Sequence, residues 1–448
     1  MRNKTLISLL VLVLFVIFGC NTLTGVSPTA TQELLPSPTA EAALPSATAA
    51  LPTPTAAVAP TVTLPPPPTA TLPPPPTATL PPAPTPADTP TRPAGIAPTI
   101  LEIHMATQTQ GWAIGTLMDA YDHILRTEDG GYTWEDVSPP LLGTATKAAA
   151  FFQGSENAWV LYTDTDIGPL TDAPSVWVTT DGGNTWGGVS LPLSGMEEFF
   201  APGNFTFTDF SRGWLLVHVG AGMSHDYSEI FATQNGGQNW TQIVDPTSPD
   251  IGGLMSLPNT ALAFADANWG WVTKDNQATR PGGYLMQSTD GGLSWDEVFP
   301  PAPSELDWYA DGVACRSESP VFPASQTGYL LFTCRDFAND APPRSFFYAT
   351  TDGGGTWRYT PLPASVHQLI FLTPDDGWAF GRKIFRTTDG GQTWTLVKQV
   401  HWDGQFSFVD AQHGWAVARN RDTGEIALVS TSDGGATWQI IQPIIPGE

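Results

Sequence analysis

TTDGGQTW, residues Thr387 to Trp394, decides how this chain folds, because close variants of it occur six more times. The others are TEDGGYTW from Thr127, TTDGGNTW from Thr179, TQNGGQNW from Thr233, STDGGLSW from Ser288, TTDGGGTW from Thr350 and TSDGGATW from Thr431. Ahead of each lies a second signature, a small residue and an aromatic followed by apolar residues: GWAIG at Gly111, AWVLY at Ala158, GWLLV at Gly213, GWVTK at Gly270, GYLLF at Gly328, GWAFG at Gly377 and GWAVA at Gly414. The third position of the octapeptide, held by Asp129, Asp181, Asn235, Asp290, Asp352, Asp389 and Asp433, recurs at intervals of 37 to 62 residues. Two signatures alternating strictly at such a period specify a repeat architecture.

Each unit reads as four short antiparallel strands. In HQLIFLTPDDGWAFGRKIFRTTDGGQTWTLV, an apolar run around Ile370 turns at Pro374-Asp375-Asp376 into GWAFG, then passes through KIFRTT and the octapeptide to TWTLV. A sheet of about 40 residues cannot bury both faces alone, so the units stack face to face around an axis. The expected fold is all-β, a seven-bladed β-propeller of four-stranded antiparallel blades over residues 98–448. The chain enters on the first strand of blade one and leaves on the fourth strand of blade seven, near Trp438 to Ile441. Closure is therefore expected by packing between blades one and seven, unless residues 96–101 add a strand.

In the octapeptide the aspartate suits a turn: Asp and Asn accept bonds from nearby backbone amides, and the two glycines supply positive φ. Asn235 can accept the same bonds. An active site would not survive seven equivalent placements around a rim, so these residues are read as structural. The series resembles the Asp-box, or BNR repeat, whose pattern is Ser/Thr-x-Asp-x-Gly-x-Thr-Trp, and the resemblance covers all seven units. It implies that the box forms the hairpin between the third and fourth strands. Among Asp-box proteins, GWAVG-like strands with DGGxTW turns look most like the photosystem II assembly-factor type of propeller, which implies a scaffold or chaperone acting through its surface. The basic binding patch of that type does not transfer to so acidic a chain. Sialidases also carry Asp-boxes, but their Arg-Ile-Pro signature is missing here.

Before the repeats the composition changes twice. MRNKTLISLLVLVLFVIFGC sets Arg2 and Lys4 ahead of an apolar run too short for a permanent span, which marks an export signal over residues 1–20. Ile17-Phe18-Gly19-Cys20 resembles a bacterial lipobox, with Phe18 in place of the usual small residue; the resemblance implies lipidation of Cys20 and anchoring on the outer side of the cytoplasmic membrane or at the cell surface. A plain cleaved signal and an uncleaved anchor are the alternatives. Residues 21–97, rich in Pro, Thr and Ala, lack the means to form a core and read as a disordered stalk, roughly 200 Å long at ~3.1 Å per residue if fully extended. Lys and Arg number 18 against 43 Asp and Glu, a formal charge of −25, which excludes nucleic acid as a partner because phosphate is held by basic side chains. Membrane contact is expected only through the lipid anchor, and a monomer is expected. Cys315 and Cys334 flank a predicted hairpin turning near Gln326, whose register sets them opposite each other; a disulfide is expected, with two buried free thiols as the alternative.

Localised function is expected on the face opposite the boxes, where the connections vary in length. Trp308 and Trp402 have no counterpart in the repeat and lie on connections between blades, with Asp307, Glu305, Asp311 and Asp403 nearby. Aromatic platforms beside carboxylates suit sugars or cationic peptide segments, although loop tryptophans also pack on their own blade. With Glu197, Glu198 and His367 these residues form the candidate ligand-binding set, for a protein or glycan ligand. The expected function is non-enzymatic binding or scaffolding, with envelope assembly as one form of it. The alternative is a glycoside hydrolase drawing an acid and a base from these carboxylates. DTDIG at Asp164, with Asp172 near it, lacks the full pattern of a calcium loop. No catalytic residue, metal site or cofactor is assigned, since no paired metal spacing, phosphate-cradling loop or nucleophile elbow occurs.

Overall fold

The computed structural model describes residues 95–447, apart from 120, 141–145, 164–173, 195–199, 223–224, 249–250, 252–253, 256–258, 276–284 and 308–309. Cys20, the leader and the stalk lie outside the described residues. From Thr99 onward the chain builds seven antiparallel blades, each with its strands in sequence order. Blade one comprises Thr99–Met105, Gly111–Thr116, Asp122–Thr127 and Glu135–Asp136; blade seven comprises Trp402–Phe408, Gly414–Asn420, Ile426–Thr431 and Gln439–Ile441. First strands of neighbouring blades touch, which makes them the innermost. Gln405 binds both the amide and the carbonyl of Ile103 at 2.9 Å. Asn204 does the same to Leu262, and Gln368 to Phe406. Each side-chain amide thus satisfies backbone groups that the curved inner edge leaves without a ladder partner.

The two signatures are bonded to each other in every blade. The first glycine of the box donates its amide to the carbonyl two residues before the second signature: Gly130 to Thr109, Gly182 to Glu156, Gly236 to Ser211, Gly291 to Asn268, Gly353 to Gln326, Gly390 to Asp375 and Gly434 to Gln412. Both box glycines have positive φ in all seven copies, which a side chain would strain. The tryptophan of the second signature then reaches the next blade. Trp159 donates Nε1–H to Gly236, Trp214 to Gly291, Trp378 to Gly434 and Trp415 to Gly130, at 2.8 to 3.1 Å. Trp112 and Tyr329 donate one loop away, to Gly154 and Pro374. Trp271 is the exception: its Nε1–H is buried without an acceptor among the described residues, and the ring packs against Gly354. The core is accordingly a set of clusters between blades, in which the rings of one blade stack on those of the next, as Trp214 does on Phe264 at 3.7 Å.

Two features depart from the simple repeat. Blade five has a split first strand, Val313–Ser317 and Val321–Ala324, both paired with the long Thr327–Asp336. Cys315 and Cys334 are direct partners in that ladder, 4.0 Å apart at Cα, and are joined by a disulfide. At the ring closure, packing is joined by short pairing: Ile445–Pro446 pairs with Gly95–Ile96, and Ile444 exchanges backbone bonds with Tyr132 and Trp134 of blade one. Closure thus combines the expected packing with an added pairing, the alternative left open for residues 96–101, of which Ile96 takes part. The added pairing comes from Gly95–Ile96 and the chain end, while Thr99 onward already belongs to blade one.

Candidate ligand-binding face and inner channel

Box carboxylates are used up by their own turns. In blade six Asp389 Oδ1 accepts from the Thr393 amide and the Thr387 hydroxyl, and Oδ2 from the Thr393 hydroxyl, at 2.7 to 2.9 Å. The Thr387 hydroxyl in turn accepts the amide of Gly391. The same set recurs in the five other Asp boxes, while in the third Asn235 Oδ1 takes the Thr233 hydroxyl and the Asn239 amide without the second-oxygen bond. Bonds from the threonine hydroxyl and amide hold Asp181, Asp389 and Asp433 below the usual carboxylate range, and the Thr356 amide does the same for Asp352. For Asp129 and Asp290 partial burial opposes this, but the turn donors outweigh it. These groups stay ionised, on separate hairpins.

Several residues expected on the opposite face, Glu197, Glu198, Trp308, Asp164 and Asp172, lie outside the described residues. Glu305, Asp307 and Asp311 are exposed on the connection into blade five, where the Glu305 carbonyl accepts from Arg344. His367 and Asp403 are brought together at the start of blades six and seven. His367 Nε2 lies 2.8 Å from the Gly404 carbonyl, and the Asp403 carboxylate forks between Arg382 at 3.3 Å and Arg421 at 3.0 Å. Trp402 does not form an open platform. It is half-buried, stacked on Phe406 and set edge-on to Trp438, because the first-strand alternation turns it into the sheet packing. The expectation that Trp402 lies on a connection is thereby corrected: it opens the first strand of blade seven, and packing on its own blade describes it.

Sequence reasoning passed over the charged groups of the inner strands. Glu102 and His104, two apart on the first strand of blade one, share one face of it. Both side chains keep exposed surface, but desolvation by the surrounding strands, then the charge of Asp122, raises Glu102, and desolvation lowers His104. Glu318, at the break in the first strand of blade five, is raised by burial against the opposing charges of Arg316, 3.4 Å away, and His367. The alternation of Glu102 and His104 with Ile103 and Met105 was the available signal for the first pair; nothing local marked Glu318. Glu229 and Lys274 are fully buried in blades three and four. Glu229 accepts from the Ser194 hydroxyl and Lys274 donates to the Leu254 carbonyl, so both tether the connections of the insertion face. Among the described residues no group of three or more His, Cys, Asp or Glu is placed to hold a metal.

The BNR/Asp-box repeat profile matches residues 385–396, the hairpin of blade six. The fold is a BNR-type β-propeller. Similar solved structures include YCF48 bound to D1 peptide, at 18% identity and TM-score 0.47 over 75% of this chain and 94% of that one. YCF48 from Cyanidioschyzon merolae gives 17% and 0.46 over 76% and 97%. The polysaccharide lyase Uly1 gives 12% and 0.51 over 74% and 89%. The likeness to Uly1 is one of fold. No curated protein matches the sequence.

Proposed function

We propose that the protein is an exported binding or scaffold propeller, anchored through lipid on Cys20, carried on the stalk of residues 21–97, and recognising a protein or glycan with the face opposite its Asp-boxes. The observation that supports a non-catalytic reading is the fate of the recurring carboxylates: each is committed to its own hairpin and held ionised, so none is poised as an acid. The His367–Asp403 edge, with Arg382 and Arg421, offers both donors and acceptors to a ligand. Full-length protein screened against glycan and peptide arrays should bind a ligand, and the Asp403→Ala, His367→Ala pair should weaken that binding tenfold or more. Binding untouched by that pair would move the site elsewhere. Cys20→Ser should release the chain from the membrane fraction; retention there would exclude the lipid anchor.

Glycoside hydrolysis is the second reading, and one observation favours it. Glu102, on the first strand of blade one, and Glu318, at the break in the first strand of blade five, are held above the usual range, as a general acid requires. Turnover of a glycoside that disappears in Glu318→Gln would establish it, whereas ligand binding without turnover would leave the first reading standing.

A further inference from the structure

The repeat itself supplies a ligand analogue on the Asp-box face. Across each blade, the aromatic of the second signature faces one residue of the third strand, and that residue sets what fills the junction with the next box. In blade six it is Arg386, opposite Trp378. Its guanidinium lies 4.8 Å from the Trp378 ring centroid, binds Asp376 through Nε at 3.0 Å and Nη2 at 3.1 Å, and donates to the Ala411 carbonyl of the next blade. It rests on Gly434, the first box glycine of blade seven. Arg126, opposite Trp112, likewise lies against Gly182 and pairs with Glu156. Val178, Ala232 and Ala349 put apolar side chains at the same place, and Gln287 bonds to the Gly354 carbonyl.

In blade seven the residue opposite Trp415 is Ser430. Here a cavity of about 260 Å³ opens between blades seven and one, lined by Trp415, Ser430, Gly130, Gln108, His413 and Asp129 among others. The first five occupy the repeat positions of Trp378, Arg386, Gly434, Ala411 and Asp376 around the guanidinium of blade six. Among the described residues no side chain covers Gly130 as an arginine covers Gly182 and Gly434; the nearest atoms to its missing Cβ are the Gln108 carbonyl and the edge of Trp415. The volume is below the roughly 300–1,000 Å³ of small-molecule pockets and suits a single side chain.

We propose that this cavity is a binding site for the arginine side chain of a polypeptide partner, which would complete from outside the arrangement that Arg386 makes from within. The guanidinium would lie over the Trp415 ring, as a cation on an aromatic face. Ser430 and the Gln108 carbonyl serve as acceptors. Asp129 lines the cavity, and a second carboxylate, Asp410, accepts from two of its lining residues, Gln108 and His413. The formal charge of −25 favours a basic partner. The site lies on the face opposite the one proposed above and stands or falls independently of it.

The test uses full-length protein isotope-labelled at tryptophan, titrated with the peptide acetyl-Gly-Arg-Gly-amide and with its citrulline counterpart, which keeps the shape and removes the charge. The Trp415 indole N–H, bonded to the Gly130 carbonyl, reports on the cavity. The arginine peptide should shift that resonance saturably, with a dissociation constant on the order of 1 mM. The citrulline peptide should leave it at least tenfold less affected. Ser430→Arg fills the cavity and should abolish the response; Ser430→Leu, a neutral plug, should do the same and separates filling from charge repulsion. No saturable shift in the unsubstituted protein, an equal response to citrulline, or binding retained in a folded plugged variant would overturn the proposal.

Discussion

At the residue scale, the hydroxyl that opens each box does as much as the carboxylate after it. Thr387 is 2% exposed, donates to Asp389 and accepts the amide of Gly391. Thr387→Val keeps the shape but leaves a buried amide unpaired, at a cost of about 1–3 kcal/mol. Urea unfolding checks it; a change within about 0.5 kcal/mol would mean that water replaces the hydroxyl. Titratable residues act with opposite signs. The box aspartates, depressed from 3.8, stabilise the fold above that value, and their contribution is lost as pH falls through the lower folded values. His123, half-buried, is opposed by burial but raised above 6.5 by its bond to Asp119 and by Asp136. Its contribution is complete below 6.5 and lost as pH rises through the folded value. Unfolding midpoints taken across that rise should fall in the natural protein and fall less in His123→Gln. The box roles were legible because their bonds close within five residues of sequence. The cavity at Ser430 was not, since its meaning appears only when Ser430 is set beside Arg386 in strand register.

At the scale of elements, the strands follow the signatures closely, because period-two alternation and a glycine-bearing hairpin fix register locally. Blade five shows the limit. Its first strand breaks at Glu318-Ser319-Pro320, and Pro320 cannot donate to the ladder. Beyond the break Val321–Ala324 pairs with the Thr327–Tyr329 end of the long strand, whereas the disulfide ties Cys315 to Cys334, 19 residues apart in sequence, in the half before it. A loop of that size corresponds to about 3 kcal/mol of lost freedom in the unfolded chain. Cys315→Ala with Cys334→Ala should therefore lower the unfolding free energy by about 2–4 kcal/mol. Protection from hydrogen exchange should fall first at Val313–Ser317. If only that local protection is lost and the global value holds, the bridge secures an extension of the blade instead of the disc. The charged groups of the inner strands were hidden for a related reason. Whether a residue on a first strand meets solvent, a neighbouring blade or another charge depends on blades far along the chain.

At the scale of the whole molecule, a ring must join its first and last blades, and here most of that joint repeats what every other junction does. Trp415 donates to Gly130 as Trp378 does to Gly434, and Gln405 clamps Ile103 as Gln368 clamps Phe406. The two contacts at this joint link residues 285 and 302 positions apart, so they restrain the unfolded chain in no way and act only once the disc has formed. The segment after Ile441 adds something without a counterpart: Ile444, 5% exposed, bonds to Tyr132 and Trp134, and Ile445–Pro446 pairs with Gly95–Ile96. Removing residues 442–448 forfeits the burial of an isoleucine, about 1.5–3 kcal/mol. It also forfeits two backbone bonds at about 1 kcal/mol each. Because the tryptophan stitch and the amide clamp remain, the truncated protein should keep its strand content and a single cooperative transition. Its denaturant midpoint should fall by the equivalent of about 3–5 kcal/mol with an unchanged slope. A split transition, or a shallower slope, would show instead that the last residues hold the ring shut and that the repeated contacts between blades one and seven are too weak to do so alone.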